Sequence, residues 1–334
     1  MGVGAAVGAT EADGAASAEV ATRWPTSTAN AATTSAPIVV RRVCGRAKPT
    51  FERLTSPARS ARRCRTPRRH RCRVSRYALG TTILVQTAWP AELLLIRHGE
   101  SAGNVARERA LESGSAIIDL DLRDCDVPLS ELGQQQAAAL GRWAARNDVR
   151  PDVVFASPYI RAQETALLAL RAAQWPDIRI LLDERLREKE FGILDRLTRA
   201  GIEQKYPDQA EMRRVVGKFY YRPPGGESWT DVILRLRNFT DTLLHQHDGK
   251  RVAIVSHQVI VLCFRYIVEH LTESQILTID REGDVANCSV TTYRFDPGEG
   301  EKGDLRLVSY NVTAPLEEEG QPVTHAADVP VAPR

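Results

Sequence analysis

The chain has 334 residues, 43% of them hydrophobic and 26% charged, which excludes a miniature scaffold, a collagen-like chain and disorder throughout. Its formal net charge of +3 conceals two materials: residues 1–88 carry 15 Lys and Arg against 4 Asp and Glu, whereas residues 89–334 carry 30 against 38. A basic head of about +11 precedes an acidic body of about −8.

Residues 1–36 are rich in Ala, Thr, Ser and Gly without a period, and residues 41–76 hold thirteen Arg among Pro, Ser and three Cys. Neither stretch buries enough apolar surface to offset its ordering entropy. The expectation for 1–88 is a disordered basic extension, read either as a start set too early or as an Arg-rich, acid-poor targeting leader. A basic tail also suits polyanions, although no nucleic acid is required by the body that follows. No apolar run is long enough to span a membrane. Cysteines at 44, 64, 72, 125, 263 and 288 form no CxxC pair, so neither a zinc site nor a disulfide framework is indicated and a cytoplasmic location is expected.

From residue 92 the texture changes. ELLLI (92–96) reads as a strand, 132–147 as a helix, DVVF (152–155) as a strand, 159–173 as a helix and IRILL (178–182) as a strand. An amphipathic helix follows over 228–247, then the strand RVAIV (251–255), an apolar helix over 259–271 and two alternating strands over 287–295 and 305–311. Strands alternating with helices predict a three-layer α/β/α domain with a mostly parallel central sheet over residues 89–313. Residues 314–334, with Glu317 to Glu319 and scattered Pro, read as a flexible tail. His245 and His247 end the long helix, where imidazolium would complement the helix dipole. Trp143 and Trp175 read as packing anchors. Tyr220, Tyr221 and Arg222 suit either a substrate mouth or a surface turn.

In an open α/β sheet, ligands bind at the carboxyl ends of the strands. Three polar groups follow the apolar runs there: Arg97, His98, Gly99, Glu100 and Ser101 with Asn104; Ser157 and Pro158 with Arg161; and Ser256 with His257. A neutral imidazole is a competent nucleophile and arginine forks match phosphoryl oxygens, so the set fits a phosphate pocket. Glu100 and Ser157 fit capping or solvated roles better than chemical ones.

LLLIRHGESAGN resembles the signature of the histidine phosphatase, or phosphoglycerate mutase-like, superfamily. DVPLSELGQQQA (126–137), SPYIRAQETA (157–166), LREKEFG (186–192), PPGGES (223–228) and VSHQ (255–258) are similar to that family's further motifs, in order. The resemblance implies a phosphoglycerate mutase-like fold and a phosphomonoester hydrolase acting on a small phosphorylated metabolite. It makes His98 the nucleophile that becomes phosphohistidine, with Arg97, Arg161 and His257 as the cationic cradle. Asn104 and Gln258 would contact the phosphoryl group or the substrate beside it, and Glu188 would be the general acid, with Glu190 or Asp195 next in line. Neither a metal nor another cofactor is implied. Ile193, Leu194, Asp195 and Arg196 depart from the family's usual residues on the leaving-group side, so the natural substrate is left open. A mutase-type phosphoryl transferase and a non-catalytic phospholigand-binding protein are the alternatives, and a homodimer is the expected assembly if the domain associates.

Overall fold

The computed structural model describes residues 89–300 and 302–325. The basic extension expected over 1–88 lies outside them, as do residues 326–334. The first half runs β1 (Glu92–Arg97), α1 (Ala102–Glu112), α2 (Glu131–Arg146), β2 (Val153–Ala156), α3 (Ile160–Ala172) and β3 (Ile180–Leu182). Then come α4 (Arg199–Lys205), α5 (Pro207–Val216), α6 (Trp229–Gln246), β4 (Arg251–Ser256), α7 (Gln258–Val268) and α8 (Glu273–Glu282). β5 (Val290–Asp296), β6 (Asp304–Val312) and α9 (Ala314–Glu317) complete the described elements.

The six strands lie in the order β3-β2-β4-β1-β5-β6. The pairs among β3, β2, β4 and β1 are parallel, and β5 and β6 join antiparallel beside β1. Because side chains alternate across a strand, Leu93 and Leu95 enter one core while Leu94 and Ile96 enter the other. The first core packs α6 and α7 on the sheet through Leu236, Phe239, Ile260 and Phe264, and the second packs α2 and α3 through Ala137, Leu140, Ala166 and Leu170. Both faces of the sheet are therefore covered, which is why its central strands are apolar throughout.

α6 starts where Ser228 and Asp231 form a reciprocal capping box. α1, α4, α5 and α8 were not apparent as apolar stripes, because each buries only one or two side chains. His247 does cap α6, but not as a cation: its ring stands edge-on to Phe155 at 5.1 Å, and burial, with Lys250 nearby, pushes its pKa down. Trp143 and Trp175 pack on the second core as expected.

The segment after residue 313 differs from a flexible tail as far as residue 325. Leu316 is fully buried in the second core, and Glu319 pairs with Arg142, at 2.5 Å, and with Arg146, both on α2. Pro322 O and Thr324 Oγ1 each accept from Gln136 Nε2 at 3.0 Å. One leucine among charges and prolines carries little periodic signal, yet α2 offers it a complete socket.

Candidate active site

Strand register brings the predicted residues together. In the parallel β1–β4 pair Arg97 lies opposite Ser256, so the next residues, His98 and His257, emerge side by side with ring centroids 5.1 Å apart. The His98 amide donates to Ser256 O at 2.9 Å. In the β2–β4 pair Ala156 lies opposite Val255, which sets Ser157 next to this edge, its Oγ 2.8 Å from His257 Nε2. Arg161, in the first turn of α3, donates its Nε–H to His98 Nε2 at 3.2 Å. Arg97 is almost fully buried and its Nη1 donates to Val285 O.

The hydrogen bonds define the state of His98. Its Nδ1 lies 2.7 Å from Gly99 O, and a carbonyl only accepts, so Nδ1 carries the proton and Nε2 keeps its lone pair. Burial holds the His98 pKa well below the usual imidazole range, and Arg161 and Arg97 push the same way. His257 is depressed likewise, first by burial and then by Arg161, His98 and Arg97. Two neutral imidazoles thus sit between two permanent cations.

The loop around His98 is clamped from several elements. Asn287 Nδ2 donates to His98 O at 2.9 Å, and Gln136 Oε1 accepts from the Glu100 amide at 2.8 Å. Thr165 Oγ1 accepts from the Gly99 amide at 3.0 Å and donates to Arg161 O at 2.7 Å, tying the segments that carry His98 and Arg161 together. Glu100 accepts from Ser130 Oγ at 2.6 Å, in keeping with a structural role, whereas Ser157 does more than cap because it holds His257.

Arg97, His98, Asn104, Arg161 and Glu188 face one cleft, together with Arg107, Asp124, Asp195 and Arg196. Asn104 is also the third residue of the α1 capping box: its Oδ1 accepts from the amide and hydroxyl of Ser101, leaving its NH2 group for a ligand. His257 sits behind His98, against Tyr159 and Ser157. Gln258 is not brought to the cleft. Its Nε2 donates to Asp284 Oδ1 at 2.9 Å. Tyr220 is exposed, Tyr221 is buried with its hydroxyl on Gln209, and Arg222 pairs with Asp231, which makes this stretch a surface turn.

Glu188 is 5% exposed, its Oε1 accepting from the Lys189 amide at 2.7 Å. Its main-chain carbonyl accepts from Arg235 Nη2 at 3.2 Å, and Arg235 in turn pairs with Glu227 at 3.0 Å. Gly192 ends the acid motif with φ of 57°, and a Cβ there would lie 2.1 Å from Pro224 O. Only glycine lets this loop and the PPGGES loop close on each other. Burial, with Asp124 nearby, raises the pKa of Asp195. Asp124, Asn287 and Arg235 had no motif to announce them, since each acts across the fold rather than along the chain. Among the described residues, no group of three or more His, Cys, Asp and Glu could hold a metal ion.

The pattern that defines the Histidine phosphatase superfamily (branch 1) matches residues 93–308. A 2,3-bisphosphoglycerate-dependent phosphoglycerate mutase 2 of Gloeobacter violaceus is 32% identical over 194 residues, covering 58% of this chain and 82% of that protein. A 6-phosphofructo-2-kinase/fructose-2,6-bisphosphatase of Caenorhabditis elegans is 31% identical over 220 residues, 64% of this chain and 43% of that one. Among solved structures, a mycobacterial glucosyl-3-phosphoglycerate phosphatase with inorganic phosphate superposes with a TM-score of 0.51 at 24% identity, covering 67% of this chain and 99% of that one, and shares the fold.

Proposed function

This chain belongs to the histidine phosphatase superfamily, branch 1, and on that footing we propose that it hydrolyses small phosphomonoesters through a phosphohistidine on His98, without a metal ion. The observation that carries the reading is the tautomer of His98, whose Nε2 lone pair borders the cleft between Arg97 and Arg161. Nε2 attacks phosphorus in line, and the bond to the leaving oxygen breaks as Glu188 gives that oxygen a proton. Arg97 and Arg161 neutralise the equatorial oxygens. His257 Nδ1 has no hydrogen-bond partner among the described residues; with Nε2 accepting from Ser157 Oγ, Nδ1–H is a further donor to the phosphoryl group. Glu188, now a carboxylate, takes a proton from water as that water attacks phosphorus and the P–N bond breaks, which regenerates neutral His98.

A second reading, phosphoryl transfer between positions of a phosphoglycerate, is favoured by the likeness to the Gloeobacter violaceus mutase. Turnover of p-nitrophenyl phosphate in EDTA, with and without 2,3-bisphosphoglycerate, separates the readings. The proposal expects release of phosphate in EDTA and an acid-labile phosphoenzyme that His98→Ala abolishes. Activity lost to EDTA and restored by a divalent ion overturns the metal-free mechanism. Isomerisation of 3-phosphoglycerate that needs the bisphosphate favours the mutase, and binding without turnover favours a phospholigand-binding protein. No helix among the described residues is long and apolar enough to cross a membrane. The free thiols of Cys125, Cys263 and Cys288 support a reducing compartment such as the cytoplasm.

A further inference from the structure

Arg161, the guanidinium assigned to phosphate, already has a protein partner on each of its three nitrogens. Asp124 Oδ1 lies 3.0 Å from Nη1, Asp124 Oδ2 accepts from Nη2 at 3.2 Å, and Asp124 O accepts from Nη1 at 2.5 Å. Nε–H is committed to His98 Nε2, the atom that must attack phosphorus. A phosphoryl group gripped by both terminal nitrogens has to replace this carboxylate, and attack by His98 Nε2 requires that the Nε–H contact be given up.

The two partners differ in freedom. The Arg161 side chain is 6% exposed and stacks on the Tyr159 ring at 4.9 Å, whereas the Asp124 side chain is 41% exposed on a three-residue turn (Asp124–Asp126). The carboxylate can leave for solvent. The arginine cannot, and the contact from Asp124 O keeps it in place when the carboxylate departs.

We propose that Asp124 is a displaceable counter-ion for Arg161, one that occupies the phosphate-binding guanidinium between turnovers and competes with inorganic phosphate for it. The inference rests on the cleft being a phosphate site. It gives Asp124 a positioning role in product release: the returning carboxylate replaces departing phosphate, so Arg161 is never left as a buried, unpaired cation. Tight phosphate binding is thereby traded for release.

The test is the inhibition constant of inorganic phosphate against p-nitrophenyl phosphate, measured on the full chain. Asp124→Asn keeps the main-chain contact and removes the competing charge, so the constant should fall about tenfold. Asp126→Asn, on the same turn but paired with exposed Arg123, should leave it within about twofold and so controls for net charge. In an Arg161→Gln background, Asp124→Asn should have no further effect. Loss of structure cannot tighten binding, so the direction of change is diagnostic. An unchanged or raised constant for Asp124→Asn overturns the proposal and makes Asp124 a buttress that orients Arg161; an equal gain in the Arg161→Gln background also overturns it. If the wild-type protein binds no phosphate, the phosphatase reading itself fails, a result distinct from phosphate binding that Asp124→Asn does not tighten.

Discussion

The wall of the cleft that carries Arg97, His98 and Arg161 grows out of the sheet, whereas the wall that carries Asp124, Glu188 and Asp195 is built on short turns and loops. On the first wall, position is set by strand register and by hydrogen bonds to fully buried partners. On the second, the acid motif is held by Arg235, Glu227 and the close passage of Gly192 over Pro224, and Asp124 stands half in solvent. The contrast teaches where each proposed role resides: the proposed nucleophile and its cations belong to the rigid sheet, and the proposed handling of the leaving group belongs to replaceable loops.

Removing the nucleophile from the first wall should have the largest effect. His98→Ala is expected to lower turnover on the order of 10^4–10^6-fold for every substrate, while the unfolding midpoint stays within a few degrees because the loop is held through the main-chain atoms of His98, Gly99 and Glu100. Comparable losses on aryl and alkyl phosphates are the signature; residual activity close to wild type would remove His98 from the chemistry. Glu188→Gln acts on the second wall and should divide substrates. Hydrolysis of alkyl phosphates should slow by about 10^2–10^4, and phosphorylation by p-nitrophenyl phosphate far less, since that leaving group departs without a proton. Rapid-quench measurement of the phosphorylation step reads this directly, and equal losses would shift the role to Glu190 or Asp195.

A smaller effect is expected from Gly192→Ala, which forces a Cβ against Pro224 O and displaces the acid loop without touching the sheet. Alkyl phosphate turnover should fall by up to about 10^2, with the p-nitrophenyl phosphate rate changed severalfold at most. A uniform loss for both substrates would show that the walls are mechanically one.

The mildest test concerns pH. The folded pKa values of His98 and His257 are depressed, so the unfolded chain binds protons that the folded chain refuses. Their contribution is therefore fully present above the ordinary imidazole pKa of about 6.5 and is lost as pH falls from there toward the folded values. Each contributes a slope of up to about 1.4 kcal/mol per pH unit in that window. Urea unfolding between pH 7.5 and about 5 should show the decline, and His257→Asn should flatten it. An unaltered slope would mean that His257 is charged in the folded protein.

Legibility in the sequence followed the same division. β1, β2 and β4 could be read because strands buried on both faces are continuous apolar runs, and the residues that leave them, His98, Ser157 and His257, follow at once. Gln258 is the exception on that side: its rotamer is decided by Asp284, 26 positions away, which no local pattern contains. Asp124 lay in the stretch between α1 and α2, where a three-residue turn leaves no period to detect. The contacts of Glu319 and Thr324 with Arg146 and Gln136 were illegible for a related reason, since these partners on α2 precede them by more than 170 positions.

The clamp on His98 has a consequence in time. The ribosome delivers His98 long before Asn287, which stands 189 positions later, and before Thr324, whose hydroxyl donates to Asn287 Oδ1 at 3.0 Å. β1 is made before either of its neighbours, β4 and β5, exists to pair with it. A nascent chain halted before β4 thus carries His98 but not the strand that aligns it with His257. A protease that clips the protein between Leu316 and Thr324 would leave every reacting side chain in the main body yet detach the far end of the hydrogen-bond chain that fixes the His98 carbonyl. The hydrogen-bond chain that fixes the His98 carbonyl is therefore complete only once the chain has been made through Thr324.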